Sequence, residues 1–171
     1  ALLSGFYSKG TDIIDWVYPT AESKKYQAMN IGKLDNMGYS VDAALHLQEL
    51  LPKFFITRIK AGYAFIHQKH STDGDVFGSL YALEYLRHKA TLQLDHRIWR
   101  QLTASWALRW QERMNGYHPY TKVDVRLQWS APTYNIYVKA DNITNHHYYD
   151  LGNVKQPGIW VMAGASVKLK F

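Results

Sequence analysis

From Gly158 to Phe171 the chain reads Gly-Ile-Trp-Val-Met-Ala-Gly-Ala-Ser-Val-Lys-Leu-Lys-Phe. Ile159, Val161, Ala163, Ala165, Val167, Leu169 and Phe171 form one row, apolar throughout. Gly158, Trp160, Met162, Gly164, Ser166, Lys168 and Lys170 form the other, mixed and ending in charge. A period of two over that length is a β-strand with two unlike faces. Its apolar row has to be covered by something other than water, which restricts the chain to few architectures. The stretch also stops on an aromatic with no polar tail, where the last residues of a water-soluble domain usually fray.

The same period recurs along the chain. Met37, Tyr39, Val41, Ala43, Leu45 and Leu47 close a run from Lys25 to Leu47 and oppose Gly38, Ser40, Asp42, Ala44 and His46. From Phe55 to Ile66, apolar and small residues oppose Arg58, Lys60 and Gly62. From Lys89 to Ile98, Ala90, Leu92, Leu94 and Ile98 oppose Lys89, Thr91, Gln93, Asp95 and Arg97. Leu102 to Arg113 and Tyr120 to Trp129 alternate most cleanly, and Tyr134 to Ile143 sets Ile136, Val138 and Ala140 against Asn135, Tyr137, Lys139 and Asp141. Leu2–Lys9 and Asp12–Tyr18 are β-rich but alternate poorly. The expectation is all-β, with about eight strands, no helix and a single domain portion over residues 1–171.

Alternation alone does not say which row faces out. A soluble lipocalin-like barrel buries the apolar row, and a membrane barrel exposes it to lipid. Two features favour the membrane. The connections Glu49–Lys53, Trp99–Gln101 and Ser130–Thr133 are short, whereas Pro19–Ser23, His67–Leu86, Met114–Pro119 and Asn145–Gln156 are mostly longer. Short turns on one side and long loops on the other belong to outer-membrane barrels. Aromatics also gather at strand ends: Phe55, Trp99, Trp129, Tyr134 and Phe171 on the short-turn side, Phe65, Trp110 and Tyr120 on the loop side. Two such girdles match the two membrane interfaces. The mean hydropathy of -0.34 excludes a helical membrane protein but not a barrel, half of whose strand residues face a polar lumen. The reading is an antiparallel up-and-down transmembrane β-barrel.

With the apolar row in lipid, Arg58, Lys60, Arg97, Arg109, Arg126 and Lys139 point into the lumen, as do Lys89, Lys122, Lys168 and Lys170, against Asp42, Asp95, Asp124 and Asp141. That excess accounts for much of the formal charge of +6. It calls for water, an anionic ligand or another protein element. The cations are spread over many strands instead of forming one patch with aromatics between, so nucleic acid is not an expected partner.

Several stretches resemble the C-terminal part of TonB-dependent outer-membrane receptors. They are Asn30-Ile31-Gly32 with Gly38-Tyr39-Ser40-Val41-Asp42, Arg87-His88-Lys89-Ala90-Thr91-Leu92, and Val138-Lys139-Ala140-Asp141-Asn142-Ile143-Thr144-Asn145 followed by Tyr148-Tyr149-Asp150, Pro157-Gly158 and the terminal Phe171. The resemblance covers nearly the whole chain in order. It departs at Asp42, often Glu in the family, and at Ser166, usually Gly. It implies the last third of a 22-stranded barrel with a plugged lumen. The plug, and the contact with TonB made through it, would lie outside this chain, which begins with neither an initiator Met nor a signal peptide. It implies uptake of a scarce small-molecule ligand (ferric siderophore, cobalamin or glycan) across the outer membrane of a Gram-negative bacterium. It also implies outer-membrane lipid around the wall, and Leu169 and Phe171 as the apolar pair read by the outer-membrane assembly machinery. The alternative is an autonomous eight-stranded barrel with a structural or adhesion role.

His146-His147-Tyr148-Tyr149-Asp150 is the candidate ligand-binding segment, since adjacent histidines can meet a transition metal or a ferric chelate. An ordinary outer loop explains the same residues, and the segment is short of ligands for a metal site of its own. His67, His70, Asp73 and Asp75 form a second cluster that reads equally well as solvated loop. Ser105, Asp95 and His88 show no triad spacing, and no phosphate loop or zinc pattern occurs. No enzymatic activity and no cofactor are expected. An enzyme of the outer-membrane barrel type ranks behind both barrel readings.

Overall fold

The computed structural model describes residues 1–23, 25–71, 78–79, 85–114, 117–150 and 154–168. In chain order its elements are β1 (Leu2–Gly10), β2 (Ile14–Tyr18), β3 (Gln27–Asn30), β4 (Lys33–Leu45), the single-turn α1 (Leu47–Leu50), β5 (Ile56–Ser71), β6 (Gly78–Ser79), β7 (Leu86–Trp99), β8 (Leu102–Arg113), β9 (Tyr120–Ser130), β10 (Tyr134–Asp141), β11 (Tyr149–Asp150), β12 (Val154–Lys155) and β13 (Trp160–Val167).

Eight of these strands form one sheet in the order β1-β4-β5-β7-β8-β9-β10-β13. Every pairing is antiparallel between successive wall strands, so the sheet is an up-and-down meander. The remaining strands sit in the long connections. β3-β2-β6 is a small sheet and β11-β12 a two-stranded ribbon. Val17 and Ile31 are buried in this region, where the first excursion builds a miniature core. β1 and β13 are the outer strands of the large sheet and do not pair with each other.

The register places like rows together. Leu102↔Trp129, Trp106↔Val125 and Leu108↔Val123 pair across β8 and β9, and Ile136↔Trp129 and Val138↔Leu127 across β9 and β10. β-branched and aromatic residues directly opposite one another stabilise such pairs by about 0.2–1 kcal/mol each. This row is the exposed one. Leu127, Val138 and Val161 are 43%, 46% and 63% exposed, while the polar residues between them are partly buried on the other face. A soluble barrel requires the reverse. A contiguous apolar face of eight strands matches a wall that meets lipid.

Aromatic clusters lie at both ends of this face. The rings of Phe54 and Phe55 meet at 4.9 Å and those of Trp99 and Trp129 at 6.3 Å, both tilted, on the short-turn side. Tyr39 and Phe65 meet at 5.7 Å and Phe65 and His88 at 5.0 Å on the loop side. Tyr120 departs from its expected place in the girdle. It belongs to the polar row of β9, opposite buried Gln111, and is itself buried. Phe171, Leu169 and Lys170 lie outside the described residues, as do Asp73 and Asp75.

Three further boundaries differ from the sequence expectation. The run from Lys25 to Leu47 is two strands, because Gly32 turns at φ 82° and the Asn30 side chain accepts its N–H at 2.8 Å. Asp12–Tyr18 leaves the wall with it, since β2 pairs β3. β5 continues through His67 to Ser71 because Lys33–Asn36 of β4 supplies backbone partners that polar side chains do not interrupt. The β4–β5 connection spans 46–55 with one helical turn and is longer than expected, whereas 100–101 and 131–133 are tight.

Gly38, in the motif of β4, is held by close approach. A Cβ there would stand 2.6 Å from the Phe65 carbonyl oxygen and 2.7 Å from the Phe6 ring that covers it. Gly38→Ala is expected to destabilise the wall by about 1–3 kcal/mol, because backbone has to move. A lowered urea midpoint in lipid vesicles would register it, and an unchanged midpoint would contradict it.

Candidate functional site

The concave face carries the charge. An open trough of about 840 Å³ is lined by Lys60, Lys89, Arg109, Lys122 and Lys139 with Asp42, Asp124 and Asp141, drawn from six neighbouring strands. The period of two brings them together, since each lies on the polar row of its strand. Lys122 pairs with Asp124 at 3.2 Å and Lys139 with Asp141 at 2.8 Å, each two residues along the same strand. Among the described residues no ion pair joins Lys60, Lys89 or Arg109 to a carboxylate. The trough is therefore net positive and open, suited to an anionic group or another protein element.

The remaining basic residues of the polar rows are placed differently. Arg58 is held by buried Asp95, at 2.5 Å from Nη2 and 2.6 Å from Nε, and Gln93 donates to the same carboxylate at 3.0 Å. The Arg126 guanidinium lies over the Tyr137 ring at 4.1 Å, and its Nε has no acceptor. Arg97 is exposed at the short-turn rim, opposite Thr103, and does not line the trough. Arg58 and Arg126 are thus engaged within the sheet, and Lys60 and Arg109 present their charge to the open space.

On the loop side, Asn142 is the organising residue. It is 1% exposed and adopts φ 53°, a left-handed conformation that Asn tolerates better than most residues. Its N–H donates to Asp124 at 2.8 Å. Its side-chain NH₂ donates to the His146 carbonyl at 3.0 Å and the Pro157 carbonyl at 3.4 Å. Its side-chain oxygen accepts from the His146 N–H at 3.1 Å and the Thr144 hydroxyl at 3.3 Å. Asn145, also left-handed at φ 49°, accepts the Ile159 N–H at 3.0 Å. The Asp-Asn-Ile-Thr-Asn stretch is thus a hub that ties the end of β10 to the start of β13.

The segment that follows divides into anchors and exposed residues. Tyr148 is buried and stacks on Tyr120 at 4.3 Å. Asp150 receives Arg113 at 2.6 Å, which fastens β11 to the end of β8. His146, His147 and Tyr149 remain exposed. Among the described residues no group of three His, Asp or Glu side chains is arranged to hold a metal ion. Of the five residues named from sequence, two are structural anchors and three face solvent. The anchoring partners Tyr120 and Arg113 were not legible, because both lie far away in sequence.

No hydrolytic constellation forms from Ser105, Asp95 and His88. Asp95 and Ser105 are cross-strand partners on the concave face. His88 lies on the convex face, where its Nδ1 and the Tyr63 hydroxyl share a hydrogen bond of 2.7 Å.

A sheet whose apolar face is convex and whose charged face is concave defines a class, the wall of a transmembrane β-barrel. Comparison with solved structures gives the fold a more particular likeness. The FrpB iron transporter from Neisseria meningitidis (F3-3 variant) superposes with a TM-score of 0.68 at 16% identity, over 95% of this chain and 27% of that one. The copper transporter OprC gives 0.71 at 16% identity, over 98% of this chain and 28% of that one. The apoprotein of the FrpB F5-1 variant gives 0.69 at 16% identity, over 95% and 28%. The fold is shared with part of these transporters, and this chain spans little more than a quarter of their length. No protein-family model and no curated protein sequence matches the chain.

Proposed function

We propose that this chain is the C-terminal barrel wall of a TonB-dependent outer-membrane transporter, and that the complete protein takes up a scarce ligand into a Gram-negative cell. The observation that carries this reading is the combination of an apolar convex face with a net-positive concave one, on a meander that superposes on transporters over nearly all its length. Lys60, Lys89 and Arg109 then face the plug or the ligand path, and His146, His147 and Tyr149 stand on an outer loop within reach of an arriving ligand. The likeness to one iron and one copper transporter favours a metal-bearing ligand, such as a ferric siderophore or cobalamin, over a glycan. An autonomous eight-stranded barrel is less favoured, since its closure needs β1 to pair with β13.

The test is uptake by cells that depend on the protein carrying this chain, supplied with ferric siderophores, cobalamin or copper as the sole source. Uptake of one of them is expected, and it should cease when TonB is removed or the proton gradient is collapsed. Uptake that persists without TonB would contradict the proposal.

A further inference from the structure

The convex face of β1, β4 and β5 changes character in a fixed order toward the loop side. Successive outward rungs, read from the register, are Leu3–Val41–Tyr63, then Gly5–Tyr39–Phe65, then Tyr7–Met37–His67, then Lys9–Asp35–Lys69, with Lys33 opposite Ser71 above them. The first rungs are apolar and aromatic, and the last two are cationic. Each rung is two residues, roughly 6.6 Å along a strand. The lysines therefore stand about 13–20 Å beyond the Tyr39–Phe65 pair along the strands, or about 9–14 Å along the membrane normal at a strand tilt of about 45°, a height that flexible lysine side chains bring to the headgroup region.

Lys9, Lys33 and Lys69 are exposed, and no ion pair joins any of them to Asp35, whose Oδ1 has no hydrogen-bond partner. One carboxylate neutralises at most one ammonium, so two cations remain, with exposed His67 below them. Lys33 and Lys69 are diagonal cross-strand neighbours on one face, a separation of about 7–8 Å that two flexible lysine stems can close onto one anion. The outward residues nearest the loop-side ends of β8 and β9 are Glu112 and Thr121, so the cationic patch is local to β1, β4 and β5.

We propose that Lys33 and Lys69, assisted by Lys9, form a docking site on the outer wall for the phosphorylated headgroup of an outer-leaflet glycolipid, whose acyl chains lie along Val41, Tyr39 and Phe65. The order of the rungs selects this occupant. A phosphate held at headgroup depth directly above an aromatic and aliphatic strip fits a lipid that carries both, whereas a soluble anion has no use for the strip. The inference rests on the reading that the convex face meets lipid.

The experiment uses the complete protein carrying this chain, extracted from the outer membrane in mild detergent, with bound bisphosphorylated lipid A counted by native mass spectrometry. Combined Lys9→Ser, Lys33→Ser and Lys69→Ser substitution is expected to lower retained lipid A about tenfold or more, while arginine at the same three positions retains it. Dephosphorylated lipid A should not bind, and millimolar inorganic phosphate should not displace the lipid. Unchanged heat-modifiable migration in gels would show that the serine variant still folds. Equal retention by the serine variant, or equal binding of the dephosphorylated lipid, would overturn the site and leave the membrane reading standing. A protein that stays dispersed without detergent would overturn both.

Discussion

Arginine at Val138 or Leu127 is expected to destabilise the folded wall by about 2–4 kcal/mol, and arginine at Ala107 by less than about 1 kcal/mol. Val138 and Leu127 are cross-strand partners on the convex face, near the middle of their strands. Ala107 lies at a similar height on β8 but lines the concave trough. The two sites differ in what surrounds a charge. At the lipid face a guanidinium leaves water for hydrocarbon, and at the concave face it keeps water and carboxylates. Urea titration in lipid vesicles, followed by tryptophan fluorescence, measures the difference. Equal effects at the two faces would mean that neither meets lipid.

Asn142→Ala should unfasten the outer loop. The substitution removes four side-chain hydrogen bonds, three of them to backbone groups, and places a Cβ-bearing residue without a polar side chain at φ 53°. At about 1 kcal/mol per hydrogen bond, with a further 1–2 kcal/mol for the left-handed backbone, the loss is about 5–6 kcal/mol. It is a local cost. The amides of His146 and Ile159 should exchange with solvent far faster, while those in the middle of β8 and β9 stay protected. Asn142→Gly should recover only the backbone part. Unchanged protection at His146 would show that the loop is held by other contacts, such as Arg113–Asp150 and Tyr120–Tyr148.

What was readable in the sequence is what lipid and water impose on alternate residues. β8 runs from Leu102 to Arg113 as its alternation indicates, and β9 and β10 lie within two residues of their expected ends. Alternation fades where both rows are polar, so the extension of β5 through Gln68, Lys69 and His70 was hidden although its backbone ladder is regular. The break at Gly32 was hidden for another reason. It depends on one Asn side chain capping one N–H, a local bond within a run that is otherwise β-prone. Tyr120 looked like a girdle aromatic by type and by its place at a strand end. Its parity puts it on the other face, where Tyr148 covers it. The candidate loop shows the limit most clearly. Its chemistry-bearing types were visible, but their division into anchors and exposed groups depends on Arg113 and Tyr120, brought in by the fold.

The central claim is that the apolar row faces lipid and the charged row faces the lumen. The chain contains no cysteine, so single cysteines can be placed along β10 from Asn135 to Ala140 without background from this segment. In the outer membrane, a charged, membrane-impermeant maleimide is expected to label positions 135, 137 and 139 from the water-filled lumen. In lipid vesicles, fluorophores at 136, 138 and 140 should be quenched by lipids with brominated chains. Labelling at 136, 138 and 140 with quenching at 135, 137 and 139, or no alternation at all, would contradict the account.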